Sequence, residues 1–143
     1  MIEVSSAKMT DLKEIVQVDS EIVGSTKRYS YIKGAIESGC CLIVKENGRI
    51  GGFLIYHTNF FDHSFISLII VSPSKRRRGY ASRLLMYLEM LSPTDKVFSS
   101  TNRSNHDMQF VFKYNGYKPS GIIENLDEED PELVYYKAVK LPY

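Results

Sequence analysis

Four consecutive basic residues, Lys75, Arg76, Arg77 and Arg78, stand directly before Gly79. They follow an apolar run over residues 65–71 that reads as a strand. They precede Leu84, Leu85, Leu88 and Leu91, whose spacing of i, i+1, i+4 and i+7 reads as the buried stripe of a helix. A strand that turns through a basic, glycine-bearing loop into a helix is suited to holding phosphate. Backbone N–H groups of such a loop and of the first helical turn lack intrahelical acceptors, and the helix dipole adds partial positive charge. Gly79 admits a ligand close to the backbone, and the arginines add full charge. Ser82 falls on the first turn, where its hydroxyl either meets a phosphate oxygen or is an ordinary helix-start serine.

The other reactive side chains give weaker patterns. His57, His63 and His106, with Cys40 and Cys41, include no pair at ligand spacing, so no metal is expected. His57 and His63 flank a predicted loop, and each is either a solvated loop histidine or a base. The adjacent cysteines cannot staple distant segments and read as reduced thiols of a cytoplasmic protein. Residues 124–132 are strongly acidic. They are either a solvated loop or, through Asp127 and Glu128, an attraction for a cationic amine.

The elements that must position these residues follow from periodicity. Ile2 and Val4 suggest a first strand. Thr10 or Asp11 caps a helix carrying Leu12, Ile15, Val16 and Asp19, and a second helix over residues 27–37 carries Tyr29, Ile32 and Ile36. Residues 41–44 are a buried strand, and Asn47-Gly48 turns it into a partner over residues 50–56, with Gly51-Gly52 marking a bulge or a close approach. Residues 57–63 read as a longer connection into the 65–71 strand. After the central helix come a strand over residues 96–100 and a helix capped by Ser104 or Asn105, with Met108, Val111 and Phe112 on one stripe. Two last strands cover residues 117–123 and 133–139. The expected fold is therefore α/β (α+β), with a mixed, mostly antiparallel central sheet flanked by helices in the order β-α-α-β-β-β-α-β-α-β-β.

Composition sets bounds. The chain has 143 residues, which suits one domain over residues 1–143. It is 43% hydrophobic and 24% charged, a globular balance. Eighteen Lys and Arg face 17 Asp and Glu, a net charge of +1, which argues against a dedicated nucleic-acid binder. No apolar run approaches the ~20 residues that span a bilayer, so no membrane partner is expected.

With both motifs in view, the chain resembles the GCN5-related N-acetyltransferase (GNAT) superfamily over essentially its whole length. The family's phosphate loop, Gln/Arg-x-x-Gly-x-Gly/Ala, has its counterpart in Arg76, Arg77, Arg78, Gly79, Tyr80 and Ala81, after a strand ending Val71-Ser72-Pro73. The family's later helix has an asparagine followed eleven and twelve residues on by glycine and an aromatic. Asn105 with Gly116 and Tyr117 matches it.

The resemblance implies acetyl-CoA as co-substrate and a primary amine as acceptor, joined by direct attack in a ternary complex. Loop amides from Arg77 to Ser82 would cradle the pyrophosphate. The backbone of Ile69 and Val71 would pair with the pantetheine amides, and Asn105 would meet the pantetheine arm. Splaying of the two central strands would leave room for the thioester. Tyr29 and Tyr31 would border the acceptor, and many relatives form homodimers. The usual tyrosine acid falls here on Phe112, which has no hydroxyl, and the usual strand glutamate is missing from residues 98–101. Tyr114, His57 and Tyr31 are the substitutes the sequence offers. The alternative expectation is a CoA-binding module with little or no transferase activity.

Overall fold

The structure, a computed structural model, describes residues 1–139. Its elements are β1 (Ile2–Ser6), α1 (Leu12–Val23), α2 (Tyr29–Glu37), β2 (Cys41–Glu46), β3 (Arg49–Phe60), β4 (His63–Val71), α3 (Tyr80–Leu91), β5 (Lys96–Asn102), α4 (His106–Tyr114), β6 (Lys118–Ile123) and β7 (Glu132–Ala138). This is the expected order. The seven strands form one mixed sheet, β1-β2-β3-β4-β5-β7-β6. β4 and β5 run parallel, while β1 with β2, β2 with β3, β5 with β7 and β7 with β6 run antiparallel. No described helix is long and apolar enough to cross a membrane.

The chain divides into two compact units, and β3, β4 and α3 contribute to both. The first comprises Met1–Tyr56 and Leu68–Leu88. Its core joins Leu12, Ile15, Val16 and Val18 of α1 to Ile32 and Ile36 of α2. Against these lie Ile43 of β2, Phe53 and Ile55 of β3, and the partly buried Leu68 and Ile70 of β4. Helical spacing on α1 and α2 and strand alternation on β3 and β4 bring these apolar faces together. Asp19 is buried on α1, where Arg28 grips both its oxygens, Nε to Oδ2 at 3.1 Å and Nη2 to Oδ1 at 2.7 Å. That bidentate pair ties the start of α2 to α1. Arg28 precedes the helix, so α2 starts at Tyr29 rather than at residue 27.

β2 and β3 turn at Asn47 and Gly48, with φ of 55° and 79°. Val44 pairs with Gly52 and Lys45 with Ile50, which leaves Gly51 as the extra residue of a bulge. A Cβ on Gly51 would overlap the Tyr80 ring, and one on Gly52 would lie 2.7 Å from the Ile70 carbonyl oxygen. The predicted glycine pair is thus both a bulge and a close approach.

The second unit comprises His57–Ser67 and the described residues from Glu89 on. β4 runs parallel to β5 through Ser64 with Val97, Phe65 with Phe98 and Ile66 with Ser99. β7 lies antiparallel between β5 and β6. On β5, Val97, Ser99 and Thr101 are buried while Phe98, Ser100 and Asn102 are half-buried. The buried polar side chains are satisfied: Ser99 Oγ donates to the Ile66 carbonyl at 2.8 Å, and Ser64 and Ser92 hydroxyls lie 2.9 Å apart.

Two expectations change. Residues 57–63 are not a long connection. β3 runs to Phe60 and β4 starts at His63, with a two-residue turn between. Phe61 and Asp62 take φ of 49° and 63°, a conformation usually signalled by Asn-Gly, so the hairpin gave no sequence cue. Aromatic packing stabilises it, with Phe60 on Phe65 at 4.6 Å and on Phe98 at 5.3 Å. Leu91 is exposed rather than part of the α3 stripe, because the helix ends there.

Candidate active site

The phosphate-type loop belongs to the first unit, and its entry is fixed before the basic residues begin. Ser72 N–H donates to the Gly51 carbonyl at 2.8 Å, and Ser72 Oγ donates to Glu21 Oε1 at 3.2 Å. A single 3₁₀ turn over Pro73–Lys75 follows, closed by Lys75 N–H to the Ser72 carbonyl at 2.8 Å. Arg76 is extended, Arg77 takes φ of 65°, and Gly79 takes φ of 78°. The α3 ladder then opens with Arg83 N–H to the Gly79 carbonyl at 3.0 Å. Left-handed backbone costs an ordinary residue about 1–2 kcal/mol, so Arg77 stores strain where the chain turns into the helix. A Cβ on Gly79 would meet nothing within 4 Å, so this stretch of backbone faces open space.

Arg76, Arg77 and Arg78 are exposed, and Arg78 Nη1 lies 3.6 Å from Glu46 Oε1. Tyr80, named from the sequence as a cofactor contact, has a buried ring against Gly51, and its hydroxyl donates to Glu46. Its side chain anchors the loop, and its backbone N–H at the first helical position is the group that can serve a ligand. The Tyr80 phenol holds the Glu46 carboxyl below the usual range against some burial, with Arg78, Lys75 and the N-terminal amine adding to the effect. Burial, then Glu46, pushes the Tyr80 phenol up. Ala81 and Ser82 are half-buried on the first turn. Ile69 and Val71 are half-buried and alternate with Leu68 and Ile70, which pack on the core. Tyr29 and Tyr31 are exposed on α2.

The second unit holds the remaining candidates. Asn105 caps α4, its Oδ1 accepting from Met108 N–H at 3.1 Å. Phe112 is fully buried, 5.5 Å from the Tyr117 ring and stacked on Tyr135 at 5.1 Å. Tyr114 is 74% exposed and stacks on Phe110, away from the buried face. His57 lies on β3 rather than in a loop. Its Nδ1 accepts from Asn59 N–H at 3.3 Å, and its ring stacks on Phe65. His63 likewise opens β4, with Nδ1 2.8 Å from the Phe61 carbonyl.

Two residues of the acidic stretch are tied to the end of β5 and the turn that follows it. Asp127 Oδ2 accepts from Asn102 Nδ2 at 2.8 Å, and Asp130 accepts from Ser104 Oγ at 2.6 Å and Ser104 N–H at 3.0 Å. The Ser104 hydroxyl is the main cause holding the Asp130 carboxyl below its usual range. Glu128 is exposed.

Two carboxylates, Glu132 of the acidic stretch and Glu89, have partners that the sequence did not show. Glu132 Oε2 accepts from Ser100 Oγ at 2.7 Å, which brings an acid to the β5 segment that has none of its own. Only the register of β7 on β5, set by side-chain packing, creates that pairing. Glu89 of α3 accepts from the Tyr117 hydroxyl at 2.9 Å and from Lys137 Nζ at 2.9 Å. Burial, then Glu89, pushes the Tyr117 phenol far above its ordinary value. Tyr117 is therefore a neutral, structural hydrogen-bond donor at neutral pH.

Comparison with known proteins accords with this geometry. A family model described as the acetyltransferase (GNAT) family matches residues 9–117. Among solved structures, an acetyltransferase of the GNAT family from Bacillus cereus is 55% identical with a TM-score of 0.96, covering 99% of each chain. The ribosomal-protein-S18-alanine N-acetyltransferase of Escherichia coli shares the fold at a TM-score of 0.84 and 16% identity, over 100% of this chain and 97% of its own. So does yncA of Salmonella typhimurium, solved with its cofactor acetyl-CoA, at a TM-score of 0.77 and 13% identity, over 97% and 94%. The search of curated proteins found no match. A strand that ends in an anchored basic loop at a helix N-terminus, inside this order of elements and with the family's sequence pattern across it, places the chain in the GNAT acetyltransferase family.

Proposed function

We propose that the protein transfers an acetyl group from acetyl-CoA to a primary amine, on a small molecule, a lysine or a peptide N-terminus. The observation that carries this reading is the backbone of residues 76–81. Two left-handed residues, Arg77 and Gly79, lead into the first turn of α3 beside three exposed arginines. In this reading the amides there hold the pyrophosphate, with the dipole of α3 and the arginines supplying positive charge. The Ile69 and Val71 backbone aligns the pantetheine amides, and Asn105 meets the pantetheine arm. The thioester carbonyl lies by the Ile66–Ser99 pair, the last of the β4–β5 ladder, in this reading.

Direct transfer needs a neutral amine, a polarised carbonyl and a proton for the departing thiolate. CoA thiolate is a fair leaving group, so positioning contributes much of the rate, and a backbone N–H of β4 is the oxyanion donor in this scheme. The buried Cys41 thiol, pushed up to about 12 mainly by burial, takes no part. Both cysteines are free, as suits a cytoplasmic setting.

The test mixes protein, acetyl-CoA and a panel of polyamines, lysine and short peptides, and follows free thiol. Thiol release above buffer with at least one amine is expected. A thermal shift with acetyl-CoA but no release with any amine would favour the binding-only alternative instead.

A further inference from the structure

We infer that Glu132 is the proton acceptor for the amine, supplied by β7 in place of the carboxylate that β5 lacks. The inference rests on the transfer reading above.

The geometry lies within the second unit. β4 pairs with β5 as far as Ile66 with Ser99. The next residue of β5, Ser100, points to the opposite face, which it shares with Phe98 and Asn102. Asn102 pairs with Glu132 across the β5–β7 ladder, so Glu132 lies on that same face. Its Oε2 accepts from Ser100 Oγ at 2.7 Å. A carboxylate is thus held by a hydroxyl one residue beyond the Ile66–Ser99 pair of the β4–β5 ladder. Both side chains are half-buried, so water and a ligand can reach them. Phe65, Phe98 and Tyr136 continue the face, with Phe98 6.0 Å from Tyr136. Aromatic rings further along the face from the carboxylate, past the Ser100–Val134 pair, suit an alkylammonium group.

Ser100 donates to Oε2. The hydroxyl orients the carboxylate through that oxygen while Oε1 can receive the amine. In the step, the amine nitrogen lone pair forms the bond to the thioester carbonyl carbon. The C–S bond then breaks and its electron pair leaves with CoA sulfur. The proton shed by nitrogen passes to Glu132, and the thiolate takes a proton from water or from the protonated Glu132. The products are an amide and free CoA thiol.

The experiment uses Glu132→Gln, Glu132→Asp and Ser100→Ala in the full chain. Acetyl-CoA alone should shift the thermal midpoint of Glu132→Gln as it shifts the wild type. With the best amine of the panel, Glu132→Gln should lose about 10²–10⁴-fold in kcat/KM. Its remaining rate should climb steadily with pH as free amine takes over. Glu132→Asp should recover part of the rate, and Ser100→Ala should lose only a few-fold. An active wild type with an unchanged rate and pH profile in Glu132→Gln would overturn this inference alone. Loss of the acetyl-CoA shift in Glu132→Gln would also overturn it, since the residue would then serve donor binding or folding. A wild type that binds acetyl-CoA and acetylates nothing would overturn it together with the transfer reading.

Discussion

The Tyr80 phenol, on the first residue of α3, donates to the Glu46 carboxylate on the last residue of β2. The bond is possible because Gly51, the bulge residue of β3, leaves room for the ring. A helix start that carries the phosphate loop is therefore locked to the sheet from beneath, while its backbone stays open above. Gly51→Ala should push the ring out of place at a cost of about 1–3 kcal/mol. Chemical denaturation should read that loss, and the thermal shift with acetyl-CoA should shrink with it.

The same pair predicts a pH signature. Glu46 titrates below its ordinary value of 4.5 in the fold, so its contribution is fully present above 4.5 and fades as pH falls through the lowered value. Tyr80 titrates above its ordinary 10.0, so its contribution is present below 10.0 and fades as pH rises through the raised value. Tyr80→Phe removes the phenol's own contribution and the largest cause of the Glu46 shift, leaving the smaller effects of Arg78, Lys75 and the N-terminal amine. The melting-temperature gap between wild type and Tyr80→Phe should form a plateau across neutral pH and narrow at each end. A gap that stays constant into strong acid would contradict the assignment.

Arg77 and Gly79 share left-handed backbone but differ in what they tolerate. Arg77→Gly should stabilise the protein by up to about 1 kcal/mol by releasing strain, less the added freedom of the unfolded chain. Acetyl-CoA affinity should fall little, because in the proposed function the backbone does most of the holding. Gly79→Ala should cost about 1–2 kcal/mol from the same conformational preference, and Gly79→Glu should also abolish the acetyl-CoA shift by placing a carboxylate against the phosphates. Calorimetric titration with acetyl-CoA separates the two effects.

The elements were legible in the sequence wherever one residue type dictates a backbone shape or one period dominates. Asn47-Gly48, the stripe of α1 and the stripe of α3 up to Leu88 appear as read, and of the two caps offered for α4 the structure uses Asn105. The basic loop was legible because its meaning lies in consecutive residues. What could not be read lies in pairings between distant strands. The Phe61-Asp62 turn has unremarkable residues held left-handed by aromatic packing across β3, β4 and β5. Glu132 meets Ser100 only through a register that no local pattern encodes. The loop motif speaks for the Tyr80 backbone N–H and says nothing of its side chain, whose burial depends on a glycine bulge 29 positions earlier in the chain.

Phe112 stands where relatives often carry a tyrosine, and restoring a hydroxyl there looks like a route to higher activity. The packing argues otherwise. Phe112 is fully buried between Tyr117 and Tyr135, and the nearby Tyr117 hydroxyl is already committed to Glu89. A new hydroxyl would enter an apolar wall and would cost about 1–3 kcal/mol if no partner is found. Phe112→Tyr should therefore melt lower than the wild type, with no rise in kcat and an unmoved pH profile of kcat/KM. Phe112→Leu should cost stability while leaving the pH profile alone, which separates a packing residue from an acid. A higher kcat in Phe112→Tyr, with a new alkaline limb in the profile, would show that the position faces the leaving thiolate after all and that the ring is not solely a core contact.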